Sequence, residues 1–139
     1  MRRQHKRAVI MFLVGGSMYV LIEFLWRGFS HISMFGVAGV CFCLIGMLNE
    51  PCSDCRSLLK QSLLGALIIT LAELLTGLLL NCWLGLGVWD YSALPFNLWG
   101  QISLQYSLLW LPLAALAIVV DDRLRCWLFG EQIPHYRLI

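Results

Sequence analysis

The sequence predicts an all-α membrane protein, with four transmembrane helices in a compact bundle, and three observations carry that prediction. Of 139 residues, 60% are hydrophobic and only 13% are charged, with a mean hydropathy of +0.77, outside the range of an ordinary soluble domain. The charges cluster at the ends of long apolar runs. Four of these runs, at about 8–26, 32–48, 62–80 and 102–120, approach the roughly 20 residues, or about 17 at the short end, that a helix needs to cross the hydrocarbon core. Backbone polar groups in lipid must be satisfied internally, and the alternation expected of barrel strands is absent, so the runs read as helices. The chain reads as a single transmembrane domain over 1–139.

Taken in order, span one (8–26) follows Arg2, Arg3, Lys6 and Arg7. A basic start before an apolar run also suits a secretory signal peptide. This run continues past that length, contains Glu23 and ends without a small-x-small cleavage pattern, so it is expected to be a retained span. Span two (32–48) is the shortest. The Asn49–Leu59 loop after it holds Cys52 and Cys55 as one C-x-x-C. A single pair without a second ligand pair reads as two cytosolic thiols in a turn, and no metal or cofactor is expected. Span three (62–80) carries one carboxylate, Glu73. The Trp-rich loop 81–101 has no Lys or Arg, and span four (102–120) contains Pro112, predicted to kink it by removing a backbone donor. The tail 121–139 mixes charge with Trp127 and Phe129, which suits a short helix at the cytoplasmic interface.

Orientation follows from the basic residues. Arg2, Arg3, Lys6, Arg7, Arg56, Lys60, Arg123, Arg125 and Arg137 fall on one side, and Arg27 alone falls on the other. The positive-inside rule then puts both termini in the cytoplasm and the 81–101 loop outside. So lopsided a bias argues against dual topology. A formal net charge of +2 is too small to suggest nucleic-acid binding.

Each span carries a stripe of small or polar residues at helical spacing: Gly16, Tyr19, Glu23 and Arg27; Gly36, Gly39, Cys43 and Gly46; Ala66, Thr70, Glu73, Gly77 and Asn81; and Gln101, Gln105, Pro112 and Ala115. In lipid such stripes are packing faces first, because small residues let backbones approach and polar ones bond across helices. Counting helical rise from the cytoplasmic ends puts Glu23 and Glu73 at a common depth, about 22 Å up, with Gln105 and Ser33 at the same height. Arg27 follows Glu23 in the favourable i,i+4 order, and His31 comes next.

A charge within a span costs a few kcal/mol even on lenient scales, so it needs a partner or a job. The expectation is an outward-facing acidic pocket under the loop, with Glu73, Glu23, Arg27, His31, Asp90, Gln101 and Gln105 as candidate ligands for an ion or small polar substrate. The plainer reading is a Glu23–Arg27 salt bridge, with Glu73 bonded to Gln105 or the loop. His31 then serves as a cap, Asp90 closes a turn with Ser92, and Trp83, Trp89, Trp99 and Trp110 serve as belt or packing residues. No catalytic constellation, phosphate loop or H-E-x-x-H pattern is present, so an enzyme is not expected.

The blocks Glu23-x-x-Trp26-Arg27-Gly28-x-Ser30-His31-x-Ser33-Met34, Thr70-x-x-Glu73-x-x-Thr76-Gly77-x-x-x-Asn81 and Val88-Trp89-Asp90-Tyr91-Ser92-x-x-Pro95-Phe96-Asn97-x-x-Gly100-Gln101-Ile102 resemble the small bacterial membrane proteins of the ABC-transporter type IV, or CmpB-like permease, family. The ending from Asp121-Asp122 to Pro134-His135-Tyr136 is similar to its short members. The resemblance implies a transporter or permease component. With no Walker A motif in the chain, any ATPase is a separate protein, and four spans imply a homo-oligomer or another membrane subunit beside the lipid bilayer. The competing expectation is a non-transporting membrane scaffold or accessory subunit.

Overall fold

A computed structural model describes residues 2–48 and 57–137. The Cys52/Cys55 pair, Arg56 and most of the Asn49–Leu59 loop lie outside the described residues. Helices α1 (Arg2–Arg27), α2 (Ile32–Gly46), α3 (Leu58–Gly77) and α4 (Leu104–Phe129) hold most of the rest. A two-stranded antiparallel hairpin, β1 (Asn97–Leu98) and β2 (Ile102–Ser103), precedes α4, with Leu98 opposite Ile102 and Asn97 opposite Ser103.

Side-chain caps set three of the helix starts. Ser57 Oγ accepts from the Lys60 amide at 3.3 Å, Ser103 Oγ from the Tyr106 amide at 3.4 Å, and His31 Nδ1 from the Ser33 amide at 3.3 Å. Each supplies an acceptor to a first-turn N–H that has no partner within the helix. Gly130, at φ 70°, ends α4 with the left-handed residue that glycine adopts without steric cost.

Three helical stretches are long and apolar enough to cross a membrane: Gln4–Arg27, Leu58–Trp83 and Leu104–Phe129. The second expected span is a 15-residue helix, about 22 Å long, shorter than the roughly 30 Å hydrocarbon core. The third runs beyond its expected end because α3 continues as a π-helical segment, Leu78–Trp83, where the Leu84 amide bonds to the Leu79 carbonyl at 3.0 Å.

The fourth span corrects the sequence reading in two ways. The expected break after 120 is absent: α4 runs through Asp121 and Asp122 to Phe129, so the predicted interfacial helix is its last turns. Both aspartates are buried, and Arg125 one turn on meets Asp121 at 2.7 Å, so the continuous helix supplies the cation that Asp121 needs. The packing face also differs. Trp110, Ala114, Ile118 and Asp121 face the bundle, whereas Gln105 and Pro112 are exposed and Ala115 is half-buried. The helix is continuous through Pro112.

Helix α1 packs chiefly on α2 and α3 on α4, with lighter α2 contacts to α3 and α4. Glycine makes the first pairing close. A Cβ on Gly39 would lie 2.7 Å from both the ring and the carbonyl oxygen of Phe12, and one on Gly16 would lie 2.6 Å from the Phe35 carbonyl. Phe12 and Phe35 meet edge to face, with centroids 5.8 Å apart. Gly36 shares the predicted stripe, but a Cβ there would meet nothing within 4 Å, so it stands outside the contact.

This difference generates a paired prediction. Gly39→Ala should lower stability by roughly 1–3 kcal/mol through overpacking. Gly36→Ala should leave stability unchanged or raise it slightly, by up to about 1 kcal/mol, because alanine favours the helix. Thermal unfolding of both variants in one detergent checks this, and equal effects would contradict the assigned interface.

Candidate functional site

At the end of the bundle that carries the 81–101 loop, two buried carboxylates are met by quite different partners. Glu23 of α1 accepts from Arg27 one turn on, from Ser30 Oγ at 2.5 Å and from Tyr19 OH at 3.4 Å. Ser30 reaches back because the chain reverses at Gly28, whose φ of 76° suits glycine. The Arg27 guanidinium also lies over the Phe29 ring at 4.9 Å. Glu23 is thus a satisfied ion pair formed almost wholly within one helix end.

Glu73 of α3 is 4% exposed, and its two oxygens have one donor each. Trp110 Nε1 of α4 donates to Oε2 at 2.8 Å, and Tyr91 OH of the 81–101 loop donates to Oε1 at 3.3 Å. Among the described residues no cation pairs with it. Tyr91 in turn stacks on Tyr106, with centroids 4.5 Å apart and planes 14° from parallel. Tyr19 joins the two carboxylates: its hydroxyl is on Glu23, and its ring lies 6.5 Å from that of Trp110.

The loop that carries Tyr91 is clamped by two asparagines. In the π-helical segment, Asn81 Nδ2 donates to the Trp89 carbonyl at 3.0 Å and to Gln101 Oε1 at 2.8 Å, while its Oδ1 accepts from the Val88 amide at 2.7 Å. Trp89 Nε1 donates to the Gln101 carbonyl at 2.9 Å. Gly77, one turn above Glu73, leaves room for this clamp: a Cβ there would lie 2.5 Å from Gln101 Oε1. Farther out, Asn97 Nδ2 donates to the Leu94 carbonyl at 2.7 Å and its Oδ1 accepts from the Gly100 amide at 3.0 Å. Two aromatic residues of this loop adopt positive φ, Phe96 at 54° and Trp99 at 51°. For a non-glycine residue that costs about 1–2 kcal/mol.

The structure therefore brings Glu23 and Arg27 together, joins them to Glu73 through Tyr19 and Trp110, and sets Gln101 in the loop clamp. His31 caps α2 and bonds Ser33 Oγ at 2.7 Å. Asp90 is exposed and closes a turn by accepting from the Ser92 amide at 2.8 Å; those Ser92 bonds hold its carboxyl below the usual range. Gln105 is a correction. Exposed on α4, it does not meet Glu73, and Trp110, one turn and a half farther in, takes that place.

A second acidic layer lies at the other end, about 25 Å along α4 from Leu104. Asp121 fits against Gly46 of α2, where a Cβ would lie 2.6 Å from its carboxylate oxygens. Arg7 of α1 meets Glu131 at 2.6 Å, and Tyr136 donates to Asp122. The tail then returns to α3, where the Leu58 amide bonds to the Arg137 carbonyl at 2.7 Å. The Asp121-x-x-x-Arg125 spacing is the sequence signal that marks this layer.

Helices of this length and apolarity define a multi-pass membrane protein. A family model described as "Putative ABC-transporter type IV" matches residues 8–132, and the chain belongs to that family. No curated protein and no solved structure matched it.

Burial, then the neighbouring Glu73 carboxylate, pushes the Tyr91 phenol well above its ordinary value of 10.0. A group whose pKa is raised on folding contributes stability that is complete below the unfolded value and lost as pH rises. Stability should therefore stay flat up to about pH 10 as far as Tyr91 is concerned and fall above it. Tyr91→Phe should make that alkaline limb shallower; denaturation midpoints between about pH 8 and 11 provide the check.

Proposed function

We propose that the chain is the membrane-embedded, permease-type component of a transport system, and that Glu73 is the group its cargo or coupling ion meets. The observation that carries this reading is the burial of Glu73 with two neutral donors and no cation among the described residues. A carboxylate so placed must be neutralised, by a proton or by a bound cation. Exchange of one for the other is the elementary step of ion-coupled movement. One of its two donors, Tyr91, comes from the outer loop, so access from outside requires only that loop to yield. Glu23 with Arg27 shapes the neighbouring wall, and Gln101 holds the loop in place.

The distribution of basic residues supports both termini in the cytoplasm of a bacterial plasma membrane. Termini on one side require an even number of crossings, so α2 serves as a short fourth span across a locally thinned bilayer. On this reading residues 1–139 form one transmembrane domain that works as a homo-oligomer or with another membrane subunit. Family membership favours a partner ATPase, since residues 1–139 contain no Walker A motif.

The test begins with tagged protein drawn from its own membranes in mild detergent. A P-loop ATPase should co-purify, and the complex in sealed vesicles should move a cation from a panel of sodium, potassium, magnesium and methylammonium in an ATP-dependent way. Glu73→Gln should cut that flux at least tenfold while leaving the unfolding temperature near that of the wild type. Undiminished flux in Glu73→Gln sinks the role of Glu73. A stoichiometric membrane partner with no ATPase and no flux would make the chain an accessory subunit instead.

A further inference from the structure

The outer loop ends in a turn built against the ordinary preferences of its residues. Residues Leu98 to Gln101 form a tight turn closed by the Gln101 amide on the Leu98 carbonyl at 3.0 Å. Its two central residues, Trp99 and Gly100, both have positive φ, 51° and 68°, the pattern of a type I′ hairpin turn. That first central position favours Asn, Asp or Gly, and here it holds tryptophan. Phe96, three residues earlier, is likewise left-handed. Neither aromatic side chain gains packing inside the protein in return, since Phe96 is 82% and Trp99 67% exposed.

The surroundings say what covers them. Along α3 and its π-helical end, Leu63, Leu67, Leu71, Leu75, Leu79 and Trp83 recur every fourth residue, all exposed, as a lipid-facing stripe leading up to the loop. On α4, Leu104 and Leu108 begin a similar stripe directly below the hairpin, and Leu98 of β1 is exposed beside the turn. Leu84 and Leu86 extend the apolar surface, and the whole 81–101 segment lacks Lys and Arg. Tryptophan and phenylalanine on such a surface have the chemistry of the membrane interface.

We propose that the hairpin, with Trp99 in its turn and Phe96 at its base, where the Leu104 amide bonds to the Phe96 carbonyl at 3.2 Å, is a bilayer wedge inserted into the outer interface of the lipid around the spans, and that the loop lies on the membrane as a bound lid. The turn that carries Trp99 is set by backbone geometry, so the indole is presented without packing support from the rest of the protein. This inference does not depend on Glu73 transporting anything.

The test uses the purified wild-type protein and Trp99→Phe, which keeps an apolar ring at the tip, in vesicles whose lipids carry bromine at acyl positions 6 and 7. Subtracting the emission of the variant from that of the wild type isolates Trp99 from the other indoles. The Trp99 share should fall at least twofold in brominated relative to plain lipid and resist aqueous acrylamide. Quenching by acrylamide with none by bromine would overturn the wedge and leave the tip in water. Quenching by neither would also overturn it, placing the tip against another protein. Trp99→Asn, whose side chain suits the turn, gives a second reading. It should weaken resistance of the loop to protease in vesicles, whereas a tip in water predicts equal or greater resistance.

Discussion

A carboxylate in the apolar part of a span has to find its partners within the protein, and the placement of Glu73 depends on two other elements meeting that need. Trp110 comes from α4 and Tyr91 from the 81–101 loop, so a single side chain of α3 ties three separate parts of the chain together. Glu73 is 4% exposed, so these two donors stand where water would otherwise be. The pairing of α3 with α4 follows the same line. Gly65 lets Ala114 approach, and Thr70 bonds Ser107 at 3.2 Å between the glycine contact and the carboxylate.

The two carboxylates beneath the 81–101 loop illustrate opposite solutions to one problem. Glu23 carries its cation with it on the same helix, one turn away, and needs little from the rest of the fold. Glu73 has no basic residue within a turn and recruits neutral N–H and O–H donors from a distance. The charge of Glu23 is met by an opposite charge, whereas the two donors on Glu73 are neutral. That asymmetry, rather than the presence of two acids, is what sets Glu73 apart.

The helices were legible in the sequence because length and apolarity identify a span without any knowledge of its neighbours. The Glu23–Arg27 pair was legible too, being local. The face of α4 was not. In a helix apolar all round, hydrophobic periodicity disappears, and polar residues are the only visible marks; Gln105 and Pro112 therefore suggested a face they do not occupy. The real face is marked by Trp110 and by the smallness of Ala114, both unremarkable in an apolar run. Asn81 sits on the predicted stripe with Glu73 and Gly77, but its role as the loop's clamp arises only from the π-helical turn, which no periodic pattern announces. The acidic layer at Asp121 and Asp122 was hidden for a related reason: aspartates following a span look interfacial until the helix is seen to continue through them.

The loop is the element in which these strands of the fold meet. Its outer tip and its inner contact are not independent, because the Tyr91 amide bonds to the Gly100 carbonyl at 2.8 Å, beside Trp99. The same short segment thus holds an exposed indole at one end and a hydroxyl on Glu73 at the other. Asn81 and Gln101 fix its base to α3, directly above the glycine that makes space for them. A displacement of the hairpin relative to the helices would have to pull Tyr91 away from Glu73 or break the Tyr91–Gly100 bond. Because the Tyr91 bond to Glu73, at 3.3 Å, is longer than that of Trp110, at 2.8 Å, the loop side is where the carboxylate is held more loosely. Tyr91 is also the one of these two partners that is not built into a helix.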